Sequence, residues 1–365
     1  MLRLGRFRGV PVLISPSWLV IGLLLTLVYG PLVDDSVDGI SASTAYLSAF
    51  GFSLVFGLCV LAHELGHTTV SLALGHPVRR VVLFLLGGVS EIDGEPERAR
   101  DELLIAVAGP AVSALIAGGA WLAFRSTTPG TLLHVILALL VWSNLVVAGF
   151  NLLPGLPLDG GRLVRGAVWA FGGSPLRGTK VAAWSGRVVA VLVALSGFVV
   201  RDGSVSFASS ALSAIMGLYL WAGASQALRF ADLSSRLHLV TVAGLLRPGV
   251  LVPSDISVAE ALRRAAEGQA RGVVLVDAAD RPSAIVDESR IGAVPADRRP
   301  WTQAAEVARP LEPGLILPLG LEGRDLLDRM RQTPAREYLV VAADGSPAGI
   351  VSTADFARRL QGKAG

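Results

Sequence analysis

His63 and His67 stand four residues apart with a glutamate between them, in the run His63-Glu64-Leu65-Gly66-His67. On an α-helix that spacing puts both imidazoles on one face, one turn apart, where together they can chelate a zinc ion. Glu64 is then placed to take a proton from an attacking water. The motif closes a long apolar run, and a side chain charged at the centre of a bilayer costs roughly 2.5 to 3.5 kcal/mol. Three ionisable groups in such a run therefore mark a functional site, and histidines that ligate a metal as neutral imidazoles avoid the cost. A catalytic zinc normally has three protein ligands and one open position, so a third ligand must come from elsewhere. It is not a thiol cluster, because Cys59 is the single cysteine, which also rules out an intrachain disulfide. Asp159 is the best candidate. It follows 33 residues without a charge, in Asn151-Leu152-Leu153-Pro154-Gly155-Leu156-Pro157-Leu158-Asp159-Gly160-Gly161. Broken backbone at membrane depth is tolerated where it packs in protein or lines a wet cavity, and a carboxylate there can turn inward. Spacing alone weighs that reading equally against an ordinary interfacial acid.

The elements that must hold these groups are apolar. The chain of 365 residues is 52% hydrophobic and 17% charged, with a mean hydropathy of +0.58. Ordinary soluble domains carry roughly 25% charged residues, which argues against a purely soluble protein. The first 239 residues hold 16 basic and 13 acidic side chains, and the last 126 hold 16 of each, so an apolar body precedes a charged tail. The net charge of +3 comes from the body, and no run of Lys and Arg interleaved with aromatics exists, which excludes nucleic acid as a partner.

Windows free of Asp, Glu, Lys and Arg cover residues 9–33, 39–62, 103–124, 126–158 and 203–228. A further candidate near 180–200 is interrupted by Arg187, expected to snorkel towards the headgroups. About six transmembrane helices follow, since roughly 20 apolar residues cross a hydrocarbon core. The first apolar run lacks a small-x-small cleavage pattern and is read as a retained span. Basic residues precede span one (Arg3, Arg6, Arg8) and follow spans two (Arg79, Arg80), four (Arg162, Arg165) and six (Arg229, Arg236), whereas Asp34, Asp35 and Asp38 follow span one. Positive-inside places the N-terminus and the tail in the cytoplasm. Ser143 and Asn144 are expected to bond between helices, His76, His134 and His238 to be solvated, and Cys59 to fill space.

With these residues the body resembles the site-2 protease family of intramembrane zinc metalloproteases. The features that carry the likeness are the H-E-L-G-H of span two and the N-x-x-P-x-x-P-x-D-G from Asn151 to Gly160. The resemblance covers residues 1 to about 230. It implies His63, His67 and Asp159 as zinc ligands, Glu64 as general base and Asn151 as a polar group near the reacting carbonyl. It also implies that a segment after span two, near Gly87-Gly88, presents substrate as an added strand. An exposed apolar stretch such as Val81 to Leu86 could offer main-chain hydrogen bonds for that purpose.

The tail repeats itself at an offset of 65 residues. Pro248-Gly249 falls on Pro313-Gly314, Ala270-Arg271 on Ala335-Arg336 and Pro282 on Pro347. Each unit reads as strand, helix, two strands and a closing helix. The repeats resemble a pair of cystathionine-β-synthase (CBS) domains, 239–300 and 301–365, after a membrane domain of 1–238. In that family such pairs often bind adenine nucleotide, and the likeness assigns Ser352, Thr353 and Asp355 to the nucleotide, Asp355 on a ribose. Arg290 aligns with Asp355 in the first repeat and reverses its charge. A structural or homodimer-forming pair is the equal alternative.

The expectation is a polytopic α-helical membrane domain followed by a soluble α/β tandem CBS module, resident in the cell membrane. Its expected activity is hydrolysis of membrane-spanning substrates, an anti-sigma factor or similar single-span regulator, with the tail tuning the rate. A CBS-gated transporter or channel is the rival reading, and it has no use for a glutamate between two zinc-spaced histidines. A zinc-bound scaffold without activity ranks last.

Overall fold

With no water in the hydrocarbon core, every backbone N–H and C=O must be satisfied within its own segment, and the apolar runs accordingly fold as helices. The computed structural model describes residues 1–84, 87–94, 96–199 and 207–360. Among them, six helices are long and apolar enough to cross a membrane. Two compact units divide the chain, Met1–Ala231 and Asp232–Gly365.

The first unit opens with a hairpin of β1 (Leu2–Phe7) and β2 (Val10–Ile14), turned by Arg8 and Gly9 at φ of 47° and 86°. Residues 10–14, apolar enough to be counted into the first span, are thus a strand. Helix α1 (Ser17–Ser36) runs next and packs on α2 (Ala42–Ala73), whose first turn is capped by the Ser41 hydroxyl. Strands β3 (Val78–Phe84) and β4 (Gly87–Ile92) complete a sheet of order β1-β2-β3-β4, with β2 parallel to β3 and the outer pairs antiparallel. Val10, Val12, Val78 and Val81 cluster against Leu61, Leu65 and Leu72, one stripe of α2. The histidine face of that helix therefore looks the other way, towards α3 (Ala99–Phe124). After α4 (Leu132–Asn151) comes a short amphipathic helix, α5 (Asp159–Ala170), in place of the expected loop. Helices α6 (Pro175–Ser196) and α7 (Phe207–Leu237) follow.

At 32 residues α2 is about 48 Å long, more than a bilayer core needs, and His63 lies about 31 Å from its start. The motif therefore sits near the far end of the span.

Three further expectations change. Val81 to Leu83 are no exposed edge: they are buried in β3, paired to β2 on one side and β4 on the other. Among the described residues the sheet's unpaired edges belong to β1 and β4, and Leu85 and Leu86 lie outside the described residues. Arg187 does not simply snorkel. Its guanidinium is 4.7 Å from the Trp184 ring and 4.9 Å from the Trp221 ring and donates to Ser225 Oγ, so aromatic faces and a hydroxyl solvate the charge. Asn144 donates to the Leu140 carbonyl of its own helix, 2.9 Å away, and also meets the Cys59 thiol of α2, the contact between helices that was expected of it. His76 pairs with Asp101 at 3.2 Å and His134 packs on Phe124 beside the Thr127 hydroxyl, whereas His238 is exposed and Cys59 is buried.

In the second unit α8 (Val242–Leu245) precedes β5 (Gly249–Pro253), α9 (Val258–Glu267), β6 (Gly272–Val276), β7 (Pro282–Val286), α10 (Glu288–Ala293) and β8 (Ala308–Pro310). Then come β9 (Ile316–Pro318), α11 (Gly323–Gln332), β10 (Glu337–Val341), β11 (Pro347–Ser352) and α12 (Thr353–Leu360). The sheets are ordered β5-β6-β7-β8 and β11-β10-β9. They meet through Val274, Ile285, Leu339 and Ile350, two pairs related by the 65-residue repeat. Their cores are exchanged. Val240, Val242 and Leu245 pack with Leu317, Leu326 and Tyr338 of the second repeat, and Ala304, Val307 and Ala308 pack with Val258, Leu275 and Val286 of the first. A boundary at 300/301 follows the sequence repeat but not the packing.

Candidate metal centre

Near the end of α2, His63 and His67 project from one face with 3% and 4% of their surface exposed. Asp159, in the first turn of α5, meets them there. Its Oδ2 lies 3.2 Å from each Nε2, and the two Nε2 atoms are 3.3 Å apart. Three buried donor atoms thus converge on one point from helices 92 residues apart in sequence.

Each imidazole is oriented through its other nitrogen. His67 Nδ1 donates to the Ile105 carbonyl at 2.7 Å, and His63 Nδ1 is 2.9 Å from Ser113 Oγ, both on α3. The carbonyl contact fixes the His67 tautomer that presents Nε2 as a lone pair, and the serine contact holds the His63 ring in place, the usual outer support of a metal-ligating histidine. Helix α3 reaches this close because residue 109 is glycine. A Cβ there would stand 2.2 Å from His67 Nε2 and 2.5 Å from His63 Nε2. Two imidazole nitrogens and one carboxylate oxygen, with the space between them left clear, fit a tetrahedral zinc with an open fourth position.

Glu64 is 7% exposed and rests on the edge strand. A Cβ on Gly88 would come 2.3 Å from its Cγ, and Ser90 Oγ lies 3.0 Å from both its Oε2 and its main-chain oxygen. Thr68 Oγ1, 3.2 Å from Ser90 Oγ, extends the chain of hydroxyls.

The segment that carries Asp159 is tied down from behind. The Leu156 N–H donates to the Ala182 carbonyl at 3.1 Å, and Ser185 Oγ donates to the Pro154 carbonyl. Backbones touch here: a Cβ on Gly186 would be 2.1 Å from Leu156 O. Asn151 ends α4 and is not drawn into the convergent trio. One of its two amide hydrogens goes to the Val147 carbonyl of its own helix at 3.0 Å.

The signature of Peptidase family M50 matches residues 51–133 and 125–195. Rip3 of Mycobacterium tuberculosis, which is named a zinc metalloprotease, is 32% identical over 372 residues, covering 98% of this chain and 92% of Rip3. The chain belongs to peptidase family M50, the site-2 protease type of zinc metalloprotease. This M50 protein is also 27% identical over 376 residues to sll0528 of Synechocystis, likewise named a zinc metalloprotease, covering 99% of this chain and 95% of that one. Among solved structures, the site-2 protease from Methanocaldococcus jannaschii is 26% identical, with a TM-score of 0.43 over 62% of this chain and 94% of that one. The CBS domain of a bacterial CNNM/CorC Mg2+ transporter covers 41% of this chain and 98% of its own at a TM-score of 0.31 and 15% identity. As a member of M50 with six apolar helices, the protein is a multi-pass membrane metalloprotease.

In the tail, Ser352, Thr353 and Asp355 lie together where β11 passes into α12. Thr353 Oγ1 donates to the Ala335 carbonyl at 2.6 Å, and Ser352 Oγ accepts the Ala354 N–H at 3.2 Å. Asp355 is clasped by Arg247, at 2.5 Å from its Nη2, and by Arg358. Burial raises its pKa, but the hydrogen bonds of Arg247 and Arg358 outweigh that and hold the carboxyl below its ordinary value. Arg290, at the matching place in the first repeat, donates instead to the Ala308 carbonyl.

Proposed function

We propose that His63, His67 and Asp159 hold the catalytic zinc and that Glu64 is the general base of an intramembrane endopeptidase. The observation that carries this reading is the convergence of the two Nε2 atoms and Asp159 Oδ2 within 3.3 Å, one residue along α2 from a buried glutamate. When bound, zinc supplies a Lewis acid that polarises the scissile carbonyl and lowers the pKa of water towards about 7. Glu64, steadied by Ser90, takes the proton of the attacking water and hands it to the leaving amine. The free edge of β4 runs past Glu64 and supplies N–H and C=O groups to a locally unwound substrate strand. A helical span hides its peptide bonds in its own hydrogen bonds, so unwinding precedes attack. Asn151 reaches the reacting carbonyl only by turning an amide hydrogen inward.

The substrates are single-span membrane regulators such as anti-sigma factors, cut in regulated intramembrane proteolysis. Both termini face the cytoplasm, and products leave to that side because the site lies near the inner end of α2. The tail is a CBS pair that tunes turnover through adenine nucleotide at Ser352, Thr353 and Asp355, and that can join two copies of the chain.

The test is cleavage of single-span substrates in proteoliposomes by wild type and Glu64→Gln, with bound zinc assayed in both. Cleavage by wild type alone, with zinc kept in the variant, supports the reading. A well-folded preparation without zinc overturns it and restores the transporter alternative.

A further inference from the structure

Glu102, Ile105, Gly109 and Ser113 are spaced three, four and four residues apart, so they form one stripe along α3. Three of them touch the histidines: Ile105 through its carbonyl, Ser113 through its hydroxyl and Gly109 by leaving room. The fourth reaches the other ligand's helix. Glu102 is 1% exposed, and its carboxylate takes Arg162 of α5 in two contacts, Nε to Oε1 at 3.0 Å and Nη2 to Oε2 at 3.4 Å. Arg165 Nη1 stands 3.9 Å from the same Oε1.

Arg162 is three residues after Asp159 on α5. Residues at that spacing are neighbours on a helix surface, and an aspartate followed by an arginine there is a natural ion pair. In a site shielded from water, a guanidinium released beside Asp159 would engage its carboxylate with two charge-assisted hydrogen bonds. Those bonds would occupy the lone pairs that zinc needs.

We propose that Glu102 is a positioning residue whose task is to sequester Arg162, keeping Asp159 free to ligate the metal. The inference rests on the zinc reading above and adds a group that acts on the metal through another side chain. It also accounts for an acid buried at the head of a membrane helix, where an unpaired carboxylate would be strongly destabilising.

The test uses the full-length protein in detergent, with zinc affinity measured by chelator competition and the visible spectrum of the cobalt-substituted form as a report on ligand geometry. Wild type that binds no zinc would defeat the parent reading, and the comparison of variants bears only on the clamp. Glu102→Gln is expected to weaken zinc roughly 10- to 100-fold, the usual effect of losing an outer-shell partner, and to shift the cobalt spectrum. In Glu102→Gln/Arg162→Gln the competing cation is gone and most of the affinity returns. Unchanged affinity and spectrum in the single variant would overturn the proposal, as would a double variant that binds zinc no better than the single. If the single variant does not fold, the double decides alone: near wild-type affinity supports sequestration, and a tenfold loss refutes it.

Discussion

Ser90 Oγ lies 3.0 Å from Glu64 Oε2, which ties the edge of a β-sheet to the glutamate of the helix beside it. A hydroxyl has one proton, which Ser90 shares between Glu64 Oε2 and Glu64 O, each 3.0 Å away, so across the 3.2 Å contact between the two hydroxyls it is Thr68 that donates to the serine oxygen. Hydrogen bonds to charged groups are worth about 1.5 to 3 kcal/mol. Ser90→Ala is expected to lower kcat roughly 10- to 100-fold while zinc content stays at the wild-type level. Steady-state kinetics with metal analysis on the same samples checks both halves. An unchanged kcat would show that Glu64 holds its place without the strand.

Gly109 offers a sharper perturbation of the centre. A methyl group there falls within 2.5 Å of both histidine Nε2 atoms, so Gly109→Ala is expected to abolish zinc binding. Gly118→Ala, nine residues along the same helix and with nothing within 4 Å of its added carbon, serves as the neutral control. Elemental analysis of the two purified proteins separates them.

Where α6 meets the segment ahead of Asp159, the contact is backbone to backbone. Gly186→Ala forces a carbon to 2.1 Å from Leu156 O, and neither side can yield as a side chain would. Overpacking typically costs about 1 to 3 kcal/mol, and a clash with main chain belongs at or above the upper end. The expected result is a lowered melting temperature together with lost cleavage, read by thermal scanning in detergent. Gly119→Ala, in open space, should do neither.

In the tail, Asp355 carries a pH dependence. Its folded pKa lies below the ordinary 3.8, because the hydrogen bonds from Arg247 and Arg358 outweigh its burial. Its contribution to stability is therefore complete above that ordinary value and is lost as pH falls through the lowered folded one. Asp355→Asn should flatten this part of the acid unfolding profile and leave stability near neutrality reduced. A variant whose profile matches wild type through the acid range would show that the ion pairs contribute nothing.

The histidine pair was legible in the sequence because both ligands and the base share one helical turn, and the run around them is too apolar for chance. Asp159 was legible only as one of two equal readings. The helix that delivers it, α5, is amphipathic and carries Arg162 and Arg165, so its charges read as a loop after span four. Glu102 and Ser113 left no signal, since an acid at a helix start and a serine in a span have commoner explanations. The hairpin ahead of α1 was hidden by its own composition. Residues 10–14 are apolar because β2 packs towards α2, and an apolar strand running into an apolar helix looks like one long span. The reverse error befell Val81 to Leu83, whose hydrophobicity reflects a central strand buried among neighbours, not an edge awaiting a partner.

The exchange of core residues between the two repeats decides how the tail can be dismantled. A cut at 300/301 would leave the first repeat without Ala304, Val307 and Ala308, and a fragment begun there would lack Val240, Val242 and Leu245. Each piece would expose the apolar seat of a segment left on the other. A cut there thus yields not two smaller modules but two incomplete ones, each expected to fold only with the other half present.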